Sequence, residues 1–238
     1  MSLFDCMVLF FIECGKMKRT LGIMIECLPA NSKRNRMISE TQKKQKSGMD
    51  NKIRKQFDKF IIENGHPCVM AQTMFRESRV DIHVYDNFGS EKTALNILDD
   101  LRNYIDNYDF TTNDFYTFIA VFNDKREMSE KKFEQLLWSQ LQHLHEADDQ
   151  PWDQSVSANP EDVNFSFSVL NHAFYIIGLH PNSSRKARQA PYPAMVFNLH
   201  SQFEQLRETG TYKQVRETIR KRDIEFEGSI NPMLDDFG

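Results

Sequence analysis

One apolar run of the sequence ends in a histidine, and a group of cations follows it. The run is His172–His180 (HAFYIIGLH), and Pro181 stops it. Arg185, Lys186 and Arg188 come a few residues later. An imidazole can ligate a metal, and guanidinium groups bind carboxylates or phosphates through paired hydrogen bonds. The sequence therefore predicts a ligand site at the end of this run. The alternatives are a hydrogen-bonded structural histidine and a solvated helix start.

The alternation of this run also indicates where a ligand would lie. In an extended strand, His172, Phe174, Ile176, Gly178 and His180 share one face. Gly178 has no side chain, which predicts room beside the His180 imidazole for a flat ligand.

Four further residues are candidates for chemistry. His200 ends another predicted strand, where it could bind a cofactor or cap the next helix. Cys68 is either a packing residue or a thiolate metal ligand. Asp235 and Asp236 could anchor a cationic substrate, although beside Pro232 they are also typical of a turn.

Several common signatures are absent from the sequence. It contains no GxGxxG, no GxxxxGK[ST], no HExxH and no CxxC. Glu63 and His66 have di-iron spacing, but Gly65 and Pro67 would break the helix that such a site needs. Nucleotide, zinc-hydrolase and di-iron sites are therefore not predicted.

The composition bounds the class of protein. The chain has 238 residues, a formal net charge of −4 and 40% hydrophobic residues, as a soluble globular domain does. A nucleic-acid-coating protein would be strongly basic. The apolar run Met7–Ile12 is far shorter than the roughly 20 residues that span a bilayer. Four cysteines without a disulfide framework favour a reducing cytoplasm.

The chain divides at about residue 50. Residues 1–49 are basic and polar in their second half and lack a regular period, which predicts a flexible tail or a mis-assigned start. Residues 50–238 carry the periodic segments of a single domain.

The predicted elements alternate without strict βαβ repetition. Helices are predicted over Asp50–Asn64 and after Ser90, Ser129, Leu199 and Thr211, and the last of them carries an exposed face of Arg216, Arg220, Lys221 and Arg222. Strands are predicted at Val69–Phe75, Val80–Tyr85, Phe115–Phe122, Phe165–Val169, His172–His180 and Pro193–Leu199, the first two as a hairpin. The pattern indicates an α+β fold with a mainly antiparallel or mixed sheet covered by helices.

Three long motifs resemble a known family. They are GLHPNSSRKAR at 178–188, YPAMVFNLHSQFEQLR at 192–207 and INPMLDDFG at 230–238. Together they resemble the YqcI/YcgG family, whose members include a haem-dependent N-hydroxylase of guanitoxin biosynthesis and a haem protein that acts on L-arginine. The resemblance covers roughly residues 51–238. Because family members usually continue past such an end, it implies a chain truncated at its C-terminus.

The resemblance implies a haem b enzyme that oxidises a nitrogen of a small guanidine or amine. It implies His180 as the iron ligand, with His200 and Cys68 as alternatives, and Arg185 and Arg188 as partners of the haem propionates. An external electron donor is then needed, because no NAD or flavin motif is present. No nucleic-acid or membrane partner is expected, and a homo-oligomer stays open. The alternatives are a haem carrier or sensor without turnover and a cofactor-free binding domain.

Overall fold

Five β-strands form one mixed sheet at the centre of the fold. The structure, a computed structural model, describes residues 40–124 and 126–229. Within them the strands are β1 (Val80–Tyr85), β2 (Thr117–Phe122), β3 (Phe167–Val169), β4 (His172–Leu179) and β5 (Ala194–Leu199). Their spatial order is β1-β2-β5-β4-β3. The β1–β2 pair is parallel, and the other neighbouring pairs are antiparallel.

Helices cover both faces of this sheet. The described residues form α1 (Glu40–Asp58), α2 (Val69–Arg76), α3 (Glu91–Asn107), α4 (Glu130–Ala147), α5 (His200–Glu208) and α6 (Tyr212–Glu227). A π-helical turn, Lys59–Glu63, extends α1, and a short 3-10 turn, Lys186–Arg188, lies between β4 and β5. The hydroxyls of Ser90 and Ser129 accept hydrogen bonds from Thr93 and Lys132, and they cap α3 and α4 as the sequence predicts.

The alternation of side chains divides the interior into two cores. On β2, Phe118, Ala120 and Phe122 pack with α3 and α4. Ile119 and Val121 point to the opposite face and pack with α1, α2 and α5. Because successive residues of a strand point to opposite faces, each buried strand serves both cores. The predicted class is confirmed: the chain forms one α+β domain with an open mixed sheet.

Two predicted elements near the N-terminal end of the domain are wrong. Val69–Phe75 is not a strand but most of helix α2. The Cys68 sulfur accepts a hydrogen bond from the Ala71 amide and caps this helix. The Met, Ala and Gln residues of α2 also favour helical structure. The predicted hairpin with Val80–Tyr85 is therefore wrong as well. β1 pairs in parallel with β2, and α3 connects them.

The helix predicted over Asp50–Asn64 begins earlier in the structure, whereas its C-terminal end agrees with the prediction. It begins at Glu40 and ends in the π-helical turn, and Gly65 follows with a positive φ of 65°. Residues 1–39 of the predicted tail and the Asp235–Asp236 pair lie outside the described residues. No helix within 40–124 and 126–229 is both long and apolar enough to cross a membrane.

Candidate functional site

An apolar pocket lies on one face of the sheet. Ile119, Ile177 and Val196 from three adjacent strands form its floor. Helices α1, α2, α5 and α6 supply its walls, with Phe57 and Phe203 among the largest side chains. The cavity measures about 180 Å³. A concave, mostly apolar cavity with a few polar groups is typical of a small-molecule site.

The charged side chains of the pocket come from the β4–β5 connection and from α6. Among the described lining residues they are Arg185, Arg188, Arg216 and Asp223. Asp223 is only 4% exposed, and Arg185 Nη2 donates a hydrogen bond to its Oδ2 atom at 2.8 Å. Because an ion pair is expensive to desolvate, a pair retained in an apolar pocket is a candidate for ligand recognition.

His66 also lines the pocket, and both of its ring nitrogens are engaged. The Cys68 amide donates to Nδ1 at 3.1 Å. Nε2 must then carry the proton, and it donates to the Ala187 carbonyl at 2.8 Å. Burial lowers the pKa of His66, so the ring is neutral at physiological pH. A ligand can reach either nitrogen only by replacing one of these bonds.

Cys68 presents a sulfur to the same pocket. It is the N-cap residue of α2, and its Sγ accepts a hydrogen bond from the Ala71 amide at 3.5 Å. Burial raises the pKa of the thiol, while the amides of Ala71 and Met70 act in the opposite direction. The thiol is therefore protonated near neutral pH, and its position at a helix N-terminus favours the thiolate once a metal replaces the proton.

His180 lies on the other face of the sheet. Its imidazole stacks on the Phe133 ring of α4, with centroids 4.6 Å apart. The residue is 1% exposed, and neither ring nitrogen has a hydrogen-bond partner among the described residues. Burial lowers the pKa of His180. The structure does not bring this ring into the cavity that Arg185 and Arg188 line. A buried imidazole without a hydrogen-bond partner among the described residues is unusual.

The predicted space beside Gly178 is not present. A Cβ atom added at Gly178 would lie 2.7 Å from Phe133 Cε1 and 2.8 Å from Leu137 Cδ1. The glycine thus permits close packing of β4 against α4, and it does not leave room for a flat ligand. The expected face is otherwise correct, since Phe174 and Ile176 pack in the α3–α4 core.

The remaining predicted site residues are placed elsewhere. His200 begins α5, where its ring centroid lies 4.8 Å from that of Tyr175 and its Nε2 lies 3.5 Å from Glu204. Burial lowers the pKa of His200. It does not line the pocket. Asp235 and Asp236 lie outside the described residues.

Sequence reasoning missed two charged residues of the pocket. Arg216 and Asp223 belong to α6, whose arginines the sequence assigns to an exposed face. A signal was present, because Val215 and Ile219 form a half-buried apolar stripe and Asp223 follows Ile219 by four residues. An acidic residue on an apolar stripe is a candidate for a buried carboxylate.

The donor set bears on which cofactors the pocket can hold. Within the described part of the chain, no three His, Cys, Asp or Glu side chains cluster as a metal site requires. A haem iron needs a single protein donor, and Cys68 supplies one on the pocket wall. Arg185 and Arg188 add groups that bind carboxylates. The chemistry of these residues fits a haem.

Comparisons with known proteins agree with the motifs. The proteins YqcI and YcgG of Bacillus subtilis are 23% and 21% identical to the chain over 186 and 179 residues. These alignments cover 74% and 72% of this chain, and 72% and 70% of the relatives. No solved structure matches the chain. The model of the YqcI/YcgG family matches residues 57–238, which is most of the domain. The chain belongs to the YqcI/YcgG family.

Proposed function

We propose that this chain is a haem-dependent oxygenase that hydroxylates a nitrogen of a small guanidine or amine. The observation that carries the proposal is that Cys68 lines an apolar pocket together with Arg185 and Arg188. The motif resemblance to haem-dependent N-hydroxylases supports the reaction type. An external donor supplies the electrons, since the sequence has no NAD or flavin motif.

Three residues of the pocket would hold haem b. The Cys68 thiolate would bind the iron, and the guanidinium groups of Arg185 and Arg188 would pair with the propionates. Bound haem supplies the oxidative chemistry of the reaction. As a ligand Cys68 would be a thiolate, and the amides of Met70 and Ala71 would stabilise its charge.

The apolar wall has its own part in the chemistry. Phe57, Phe75 and Phe203 line the pocket with apolar surface, which would keep water away from a bound group. Exclusion of water strengthens the interaction of Arg185 and Arg188 with carboxylates. It also protects a reactive centre from side reactions. Asp235 and Asp236 stay the proposed partners of the substrate cation.

His180 is the alternative iron ligand. Its imidazole is buried and neutral, and both ring nitrogens lack hydrogen-bond partners among the described residues. A neutral imidazole is an ordinary axial ligand. The two assignments differ in ligand chemistry, so one spectrum separates them.

The test is an absorbance spectrum of protein expressed with a haem supply, recorded oxidised and then reduced under carbon monoxide. We expect a Soret band at one haem per chain, with the reduced-carbon monoxide position of a thiolate ligand. Cys68→Ser should shift or abolish the band, and His180→Ala should leave it unchanged. The reverse result assigns the iron to His180. A protein that stays colourless with haem present contradicts the haem proposal.

Turnover separates an oxygenase from a haem carrier or sensor. The holoprotein, supplied with L-arginine, dioxygen and a chemical reductant, should form an N-hydroxylated product that mass spectrometry detects. Bound haem without product from arginine or from simple guanidines and amines supports the carrier or sensor.

The size of the cavity favours a second candidate, a cofactor-free binding domain. Sites for drug-sized ligands measure about 300–1,000 Å³. The cavity of about 180 Å³ is smaller, so a macrocycle enters only if the walls move apart. A small ligand needs no such movement. This candidate predicts a colourless protein that binds a small molecule.

A further inference from the structure

We infer that helix α6 is a flap that opens and closes the pocket. Its hinge is the linker that contains Gly210, and its latch is the contact of its C-terminal end with residues 185–187 of the β4–β5 connection. The inference rests on the proposed function in one respect, namely that the pocket admits a molecule larger than the closed cavity of about 180 Å³.

α6 forms one wall of the pocket along most of its length. Its residues Tyr212, Val215, Ile219 and Asp223 line the cavity. Val215 and Ile219 are only half-buried, and Asp223 is the one buried residue of the helix in the described structure. Moving this wall therefore separates few buried side chains, and such elements open at lower free energy than core elements.

The N-terminal end of α6 follows an anchored helix through a short linker. α5 ends at Glu208 and α6 begins at Tyr212. Between them Gly210 has a positive φ of 72°, and a Cβ atom added there would meet no atom within 4 Å. α5 is held next to β2, because the buried Gln202 side chain forms hydrogen bonds of 3.0 and 3.2 Å with the backbone of Tyr116. A glycine in open space beside an anchored helix is suited to be a hinge.

The C-terminal end of α6 is held by polar contacts, almost a whole helix length away from Gly210. Arg185 Nη2 donates to Asp223 Oδ2 at 2.8 Å, and the Ala187 amide donates to Glu227 Oε1 at 2.8 Å. A hydrogen bond of this kind can be exchanged for bonds to water at a modest net cost. A polar latch at one end and a glycine linker at the other end together allow the helix to swing as a unit.

The Cys68 thiol reports this opening without any added ligand. It lines the pocket, and burial raises its pKa, so it reacts slowly while the pocket is closed. Trypsin releases it in the peptide 60–76, which contains no other cysteine. N-ethylmaleimide is added to the chain expressed without added haem at several low urea concentrations, and mass spectrometry of this peptide gives the labelling rate.

The dependence of labelling on urea distinguishes a flap from global unfolding. Opening of one helix exposes little surface, so we expect the labelling rate of Cys68 to depend only weakly on urea. A rate that rises with urea as steeply as the global unfolding constant overturns the inference.

A variant of the latch locates the movement. Glu227→Ala removes the contact with the Ala187 amide, and Cys68 labelling should become about tenfold faster, the factor expected for the loss of a charge-assisted hydrogen bond. Glu225→Ala is the matched control, because Glu225 is exposed on the same helix and does not line the pocket. Unchanged labelling in Glu227→Ala places the movement in another wall and contradicts the inference.

A second control separates the latch from general destabilisation. Ile97 is buried in the α3–α4 core on the opposite face of the sheet, and Ile97→Val lowers the stability of the domain by an amount comparable to the loss of one hydrogen bond. It should leave Cys68 labelling in the absence of urea unchanged. Equal acceleration in Ile97→Val and Glu227→Ala would show that the thiol is reached through a loss of overall stability, which refutes the flap.

Haem entry separates a failure of the flap from a failure of the haem proposal. Haem is mixed with the chain expressed without added haem, and the growth of the Soret band is followed in time. Entry should be about tenfold faster in Glu227→Ala than in the native chain. Haem that enters both proteins at the same rate supports the haem proposal and refutes the flap. A chain that takes up no haem, but whose Cys68 labelling accelerates in Glu227→Ala, refutes the haem proposal and supports the flap.

Discussion

At the scale of single residues, His83 is held between two carboxylates. Its Nε2 lies 2.9 Å from Asp81 Oδ1, and its Nδ1 lies 3.2 Å from Asp100 Oδ2. The Tyr85 hydroxyl donates to the same oxygen of Asp100 at 2.7 Å. His83 and Tyr85 lie on the edge strand β1 and Asp100 lies on α3, so these contacts join the edge of the sheet to the helix.

We predict that this contact makes stability depend on pH. Burial alone would lower the pKa of His83, but the hydrogen bonds to Asp100 and Asp81 outweigh it and raise the pKa to about 9. The unfolded value is about 6.5. Because the folded pKa is the higher one, the stabilisation is fully present below about pH 6.5 and is lost as the pH rises through about 9.

Urea unfolding of the native chain and of His83→Gln at pH 6 and pH 10 measures this contribution. The native chain should be clearly more stable than the variant at pH 6, and the difference should shrink at pH 10. Groups that titrate equally in both proteins cancel in the comparison. A difference that stays constant between the two pH values would show that the charge of His83 does not stabilise the fold.

At the scale of elements, α6 differs from the other long helices. Asp223 is its one buried residue in the described structure, whereas α4 buries six. Polar contacts also hold it to the rest of the pocket: Glu227 accepts from the Ala187 amide at 2.8 Å, and Arg222 donates to the His66 carbonyl at 3.2 Å. Elements with few buried apolar contacts open at lower free energy than core elements.

We therefore predict that amides of α6 exchange with solvent faster than those of α4. Hydrogen–deuterium exchange with mass spectrometry compares the two helices in one experiment, and α4 serves as the internal reference. Equal protection of α4 and α6 in the free protein would be inconsistent with this view.

The elements also show what a sequence can and cannot predict. Ser90 and Ser129 are recognisable as caps because capping depends on residues three positions apart. Val69–Phe75 is misassigned because a short apolar run suits a strand or a buried helix equally well. The β1–β2 pairing depends on contacts between residues that are distant in the sequence, so no local pattern could decide between it and a hairpin.

The same distinction applies to the candidate site. Alternation places Gly178 and His180 on one face correctly, but it cannot show that Phe133, far away in the chain, fills the space beside them. Arg185 and Arg188 are predicted from their residue types, and they line the pocket. Asp223 is missed because its burial depends on how α6 packs, which is a property of the tertiary structure.

At the scale of the whole molecule, the sheet joins two cores that lie on its opposite faces. Phe118 and Ile119 are consecutive residues of β2, yet they belong to different cores. Both are buried, at 0% and 3% exposure. The central strands therefore couple the two sides mechanically and energetically.

We predict that either side chain, when removed, destabilises the whole domain. Phe118→Ala should cost about 3–5 kcal/mol and Ile119→Ala about 2–5 kcal/mol. Trp138 and Trp152 both pack against the α3–α4 core, so tryptophan fluorescence reports on that side. Ile119→Ala should nevertheless shift the fluorescence transition and the far-ultraviolet circular dichroism transition by the same urea concentration. Separate transitions would mean that the two cores unfold independently.

The position of β5 has a consequence for synthesis on the ribosome. It is the last strand in the described sequence, yet it lies between β2 and β4. Until Ala194–Leu199 has been translated, one edge of β2 has no partner, and the apolar segment Thr117–Phe122 is an open template for pairing with other chains. At roughly 5–20 residues per second, the nascent chain spends several seconds in this state. A nascent chain in this interval would be a target for chaperones that bind exposed apolar strands.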